Sequence, residues 1–165
     1  PKGFVSATKD SVHKTVIDLL PSSSPDNLHI AGRLDFNSTG LILLTNDGHW
    51  SRKLSLPESD IDKRYRVTLD KPIYQAIIDI FATGIYFSFE NITTLPAALV
   101  AIDNNTVEVI LKEGKYHQIK RMFGHFQIEV LNLHRLSIGN IYLECSLQEG
   151  DSRNLTPHEV VDIFN

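Results

Sequence analysis

At 165 residues with 42% hydrophobic content, the chain is long enough to bury a core of its own, and one domain, of one lobe or two, is expected. No apolar run approaches about 18 residues, which excludes a transmembrane helix, and the single Cys145 excludes an internal disulfide framework and fits a reducing cytoplasm. The formal net charge of −4 argues against a nucleic-acid binder held by bulk electrostatics alone.

The N-terminus, Pro1-Lys2-Gly3-Phe4-Val5, has neither the charge pattern of a signal peptide nor that of a transit peptide. With Met122 as the only methionine, a fragment whose upstream part was removed is expected. Gly3 to Ala7 reads as a short strand, and Thr15 to Leu20, stopped by Pro21, as a short helix with Val16, Leu19 and Leu20 on one side. Ser22 to Asn27 is a loop. His29 to Leu34 and Leu41 to Thr45 read as strands around a polar loop, and the second ends in an Asn46-Asp47-Gly48 turn. A helix is expected over His49 to Leu56, ended by Pro57.

Lys63 to Asp70 alternates, which puts Tyr65, Val67 and Leu69 on one face of a strand. Ile73 to Thr83 is amphipathic with Gly84 as its C-cap. Ala97 to Ile102 and Thr106 to Leu111, joined by Asp103-Asn104-Asn105, form a hairpin pattern. Lys115 to Phe126 reads as a helix. Val130 to Leu133 and Ile141 to Leu143 read as strands separated by Ser137-Ile138-Gly139-Asn140. Thr156-Pro157-His158-Glu159 starts a last helix that runs to Phe164, with an N-cap, Pro at N1 and Glu at N3. There is no internal repeat. The reading is an α+β fold: a mostly antiparallel, mixed β-sheet core flanked by helices.

Charge is unevenly spread. Between Lys112 and Arg135 there are five Lys or Arg against two acids, with His117, His125 and His134 in the same stretch. Lys63, Arg64 and Arg66 form a second cluster, and acids gather at Glu58 to Asp62 and in the C-terminal tail. This pattern would put a basic face on an acidic body.

Three strings carry chemistry. In the first, Gly32 to Gly40 is a glycine-bracketed polar loop against a core strand, a rigid support for reactive groups. If Arg33 to Asp35 is extended, the two side chains share a face, and an Asp beside a cation serves as a carboxylate rather than as an acid. The plain alternative is a loop whose Asp, Asn, Ser and Thr only bond their own backbone. In Lys63-Arg64-Tyr65 the plain reading of Tyr65 is strand packing. In the third string, a helix would place His117, Lys120, Arg121 and His125 on one side and Ile119, Met122, Phe123 and Phe126 on the other, by default a solvated basic face.

Other chemistries fit poorly. A glycosidase needs two carboxylates at a set spacing, and only Asp35 sits in a convincing site. His158-Glu159-Val160-Val161-Asp162 lacks the second His of a zinc protease motif. The Pro-Cys-x-x-Cys of the deaminases and any Gly-rich phosphate loop are absent. The spacings of His117, His125, His134 and Cys145 match no usual metal set.

Taken as whole strings, Gly32-Arg33-Leu34-Asp35 with Ser38 to Gly48, Lys63-Arg64-Tyr65, Glu113 to Met122, and Leu131-Asn132-Leu133-His134-Arg135 resemble the RsuA/RluB/RluE/RluF group of RNA pseudouridine synthases. The resemblance runs from Pro1-Lys2-Gly3 to the final helix. It implies that Asp35 is the catalytic carboxylate and that Tyr65 packs on the target nucleotide with its hydroxyl placed for proton transfer. It also implies that a basic residue pairs with Asp35, a role that falls to Lys120, with its neighbour Arg121 as the alternative. Leu133 would line the pocket floor, with His134 and Arg135 close to the RNA backbone. The candidate substrate- and RNA-binding residues are thus Arg33, Lys63, His117, Gln118, Arg121, Leu133, His134 and Arg135.

The implied reaction is isomerisation of uridine to pseudouridine, without cofactor or metal. Its expected partner is ribosomal RNA, met in an assembly particle by a monomeric cytoplasmic protein. Gly48-His49-Trp50-Ser51 and Lys63 to Leu69 resemble the RsuA type, which modifies small-subunit RNA; large-subunit or tRNA-directed relatives share most of these motifs. Members of the group usually carry an N-terminal S4-type RNA-binding domain, which this sequence lacks. A rival of another class is an RNA-binding ribosome-assembly module that keeps the fold without the chemistry.

Overall fold

Alternating apolar and polar residues set the main sheet, and two apolar clusters fix what lies against it. The computed structural model describes residues 1–165. In chain order the strands and helices are β1 (His29–Ala31), β2 (Thr39–Gly40), β3 (Leu43–Thr45), α1 (Gly48–Ser55), β4 (Lys63–Leu69), α2 (Gln75–Thr83), β5 (Tyr86–Phe87), β6 (Ile92–Thr93), β7 (Ala98–Ala101), β8 (Thr106–Leu111), α3 (Gln118–Gly124), β9 (Val130–Ile138), β10 (Ile141–Tyr142) and α4 (Pro157–Asp162). The main sheet has the order β10-β9-β4-β8-β7, antiparallel throughout, with β2 added in parallel to β9. The fold is α+β around a mixed, mostly antiparallel sheet.

Lys63, Tyr65, Val67 and Leu69 of β4 all point to the covered face, as the alternation predicts. There Tyr65, Val67 and Leu69 join a cluster of 17 buried residues that includes Ile77 and Phe81 of α2 and Ile119, Met122 and Phe123 of α3. Burial of each of these side chains contributes about 2 kcal/mol. Helix α3 has only seven residues and no side-chain cap, too short to stand on propensity alone. Packing of Ile119, Met122 and Phe123 therefore holds it. A second cluster of eight buried residues joins Ala31, Leu41 and Leu43 to Leu54, Ile61, Ile138, Ile141 and Ile163.

Several expected elements change their bounds for identifiable reasons. The expected strand at Gly3 to Ala7 is only an isolated bridge from Val5 to Thr15. The run 41–45 is not one strand. Gly40 pairs with Arg135 in the main sheet, and Leu43 to Thr45 then pair with Ala31 to His29 in a separate ribbon, so the chain changes sheets between them. Strand β9 continues five residues past the expected end at Leu133, to Ile138. The charge at Arg135 hides a core-facing position, and the turn is only Gly139-Asn140. The expected helix over 115–126 starts at Gln118, because His117 has a left-handed backbone (φ 48°). The two-residue strands β5 and β6, a small hairpin beside α3, had no periodicity to announce them.

Candidate active site

Two anchored segments bring the chemistry-bearing residues together. The first is the loop after β1. Arg135, 1% exposed, sends three donors into it: Nε to the Leu41 carbonyl (2.7 Å), Nη2 to Gly32 (2.8 Å) and Nη1 to Arg33 (3.3 Å). A planar guanidinium with a fixed fork suits three diverging carbonyls. At Gly40 a Cβ would stand 2.3 Å from the Arg135 carbonyl oxygen, so only glycine lets β2 lie this close to β9. Ser6 clasps the other side of the loop: its hydroxyl donates to the Leu34 carbonyl (2.9 Å) and accepts from the Leu34 N–H (3.0 Å). Asp35 thus projects from a backbone held at both neighbours, since the Gly3 N–H also donates to the Phe36 carbonyl (3.0 Å).

The second segment enters α3. Glu113 is 3% exposed, and its carboxylate accepts from the Leu95 N–H (2.8 Å), the Gln118 amide (2.7 Å) and the Lys115 ammonium. Gln118 in turn accepts from the Lys115 N–H (2.9 Å). The closed loop from 113 to 118 holds His117 in its left-handed conformation, an arrangement that surrounding structure must enforce.

The two segments meet at Asp35. One carboxylate oxygen lies 3.4 Å from His117 Nε2 and the other 3.5 Å from Lys120 Nζ. The carboxylate is about a quarter exposed and its two partners about a third. Ion pairs this wet contribute about 1 kcal/mol or less, so they do not hold the site together; the Arg135 and Glu113 networks do. An accessible carboxylate fixed between two basic groups can act as a nucleophile or as a base, and the ammonium can balance charge that develops nearby.

Among the other expected residues, Tyr65 and Leu133 lie in the main core, 6% and 7% exposed, in the cluster against which Leu34 packs. The Tyr65 ring is 6.0 Å from the Arg135 guanidinium, and its hydroxyl has no protein partner. His134 lies next to the Asp35 loop, with Nδ1 2.6 Å from the Thr39 hydroxyl. Burial, and after it the Arg66 guanidinium, pushes its imidazole below the ordinary histidine pKa. His134 is thus a neutral hydrogen-bonding partner more than a cation.

Arg33 is exposed and makes no ion pair with Asp35; the basic groups at the carboxylate, His117 and Lys120, come from the α3 segment. Three other residues expected to contact RNA are committed inside the protein. Arg135 cannot meet the RNA backbone, because its donors are consumed by carbonyls inside the protein. Lys63, 6% exposed, points its ammonium at the carbonyls of Ile61 and Lys112 (both 3.4 Å), and burial first, then Arg135, lowers its pKa. Gln118, 3% exposed, is committed to Glu113 and Lys115. Arg121 is also engaged, with Glu90 at 2.5 Å and the Phe87 ring at 3.9 Å, which leaves Lys120 as the neighbour of Asp35.

Glu113 and Ser6 were not anticipated. A buried carboxylate and a solvated one look alike in sequence, and Ser6 acts 28 residues away from its partner. A cleft of about 950 Å³ is lined by Asp35, Ser38, Thr39 and His134 together with residues 142–144 and 147–155. His117, Lys120 and Tyr65 stand outside it. No group of three His, Cys, Asp or Glu is gathered as a metal site.

Residues 1–125 match the family model described as RNA pseudouridylate synthase. The chain is 52% identical over 163 residues to the ribosomal small subunit pseudouridine synthase A of Pseudomonas aeruginosa, covering 99% of this chain and 71% of that protein. It is 40% identical to the protein of the same name from Escherichia coli, with the same two coverages. A solved pseudouridylate synthase superposes with a TM-score of 0.92 at 38% identity, over 99% of this chain and 70% of that one. A chain of an archaeal box H/ACA sRNP Nop10-Cbf5 complex, at 16% identity and a TM-score of 0.50, shares the fold over 84% of this chain and 45% of its own. On these matches, the chain belongs to the RNA pseudouridylate synthase family.

Proposed function

We propose that this chain converts one uridine of small-subunit ribosomal RNA to pseudouridine, with Asp35 as the catalytic carboxylate, Lys120 as its charge partner and Tyr65 as the ring against the target base. The observation that carries the chemical reading is the Asp35 carboxylate, accessible and held between His117 and Lys120 at 3.4 and 3.5 Å. The substrate reading rests on the 52% identity to a ribosomal small subunit pseudouridine synthase A. We place the reaction in the cytoplasm, with residues 1–165 as a catalytic domain.

The target uridine leaves its stack to reach Asp35, at a cost of a few kcal/mol that is smallest where it is already unpaired. The carboxylate promotes cleavage of the C1′–N1 bond, by attack at C1′ or by removal of the C2′ proton. The uracil turns within the site and rejoins through C5. The C5 proton then leaves and N1 takes one up, so one C–N bond is exchanged for one C–C bond with no net oxidation or reduction and no group lost. Lys120 keeps a positive charge beside the carboxylate through these steps.

Tritium release from small-subunit RNA labelled at uridine C5 tests the reading. Asp35→Asn preserves shape and removes charge; it should abolish release while leaving RNA binding within about twofold. Release by this variant at the wild-type rate removes Asp35 from the mechanism. Absence of release by the wild-type chain, with retained RNA binding, favours the assembly-module reading.

A further inference from the structure

Tyr116 is 76% exposed and adds nothing to the core, yet it stands on a rigid pedestal. Its ring lies nearly parallel to that of His117, 3.9 Å between centroids and 18° between planes. One aromatic face is therefore covered and the other is open. Its carbonyl accepts from Arg121 Nη1 (3.4 Å), and Arg121 is tied to Glu90 and Phe87 of the β5–β6 hairpin. The residue before it, Lys115, is fixed by Glu113 and Gln118. His117, the residue after it, contacts Asp35.

The ring thus presents a free π-face within one residue of the group that touches the carboxylate. The cations around it, Lys115, Lys120 and Arg121, already face carboxylates. Attraction for a ligand here falls to the aromatic surface. Base-on-aromatic stacking is tolerant of sequence, and an extruded nucleotide leaves neighbouring bases in need of a partner.

We propose that Tyr116 is a substrate-positioning residue: its open face stacks on an unpaired RNA base next to the target uridine. This rests on the reading above that the site takes RNA.

The test uses the full chain and an in vitro transcript of small-subunit ribosomal RNA, fluorescently labelled for binding and tritiated at uridine C5 for turnover. Binding is measured in the Asp35→Asn background so that no product forms. Tyr116→Ala should weaken binding about tenfold and raise KM by a similar factor, with kcat within about twofold and the melting temperature unchanged. Tyr116→Phe should restore both, and Tyr116→Leu, apolar without a π-face, should restore neither. Unchanged binding in Tyr116→Ala overturns the proposal, as does rescue by Leu equal to that by Phe, or failure of the wild-type chain to bind the transcript. Weakened binding with Phe rescue upholds the stacking even if the wild-type chain releases no tritium, an outcome that would strike only the isomerase reading.

Discussion

Arg135 shows how a residue type can mislead when its surroundings are unknown. In a basic run beside an RNA-directed motif it reads as a phosphate contact; in the fold it is a spacer between strand and loop, with three carbonyls at its fork. Lysine offers a point charge in place of the fork. Arg135→Lys should therefore destabilise the protein by about 3 kcal/mol, a fall of roughly 6–12 °C in a thermal melt, and should lower activity because the Asp35 loop loosens. A melting temperature within 2 °C of wild type, a margin of about 1 kcal/mol, would contradict the role given to it. Lys120 is the opposite case, a residue with little work in folding. Lys120→Met should leave the melt unchanged and reduce kcat by about 10²-fold, as read by single-turnover tritium release.

At the scale of elements, length decided what could be foreseen. The alternation in β4 and the 97–111 hairpin pattern extend over enough residues to state their period, whereas β2, β5 and β6 are two residues each and carry none. The helix cap of α4 was legible because Thr156 and Glu159 form it locally as a capping box, whereas Asp47, which reads as part of a turn, accepts from His49 and Trp50 at the start of α1. Asp47→Ala should cost about 1 kcal/mol, visible as a shift in urea midpoint. The joint between β2 and β9 has a pH dependence of its own. The pKa of His134 lies below its ordinary 6.5 because of burial and then of Arg66. The unfolded chain therefore takes up a proton before the folded one does. The stability that neutral His134 contributes is complete above about pH 6.5 and declines as pH falls toward the lower folded value. Urea midpoints measured from pH 8 to pH 5 should fall more steeply for the wild type than for His134→Gln. Parallel curves would mean that His134 does not set this dependence.

For the whole molecule, the expected basic face is largely neutralised from within. Of the five Lys and Arg between 112 and 135, Lys112 faces Asp60, Lys115 faces Glu113, Lys120 faces Asp35, Arg121 faces Glu90, and Arg135 is buried. Arg64 and Arg66 share Glu108. A phosphate arriving at these groups displaces a carboxylate and releases few counterions, so RNA binding by this chain should depend weakly on salt. A plot of log K against log salt should have a slope of about −2 or shallower, measured by anisotropy over a potassium chloride series. A slope near −6 would mean that a basic surface dominates after all.

The sequence by itself settled the fold class, the family and the loop that carries Asp35, because each is written in contiguous strings whose local pattern suffices. It also named the Lys-Tyr-His-Gln-Ile-Lys run of 115–120 that meets that loop. The resemblance already pointed to Lys120 beside the carboxylate; tertiary structure alone decided that Arg121 is engaged elsewhere, that His117 is the second neighbour, and which other charges are spent inside the protein. Charge type is a property of one residue, but its role depends on partners distant in the chain: Arg135 on the carbonyls of residues 32 to 41, Glu113 on Leu95, Lys120 on Asp35. Those pairings come into being only when β9 lies against β2 and α3 packs on the sheet.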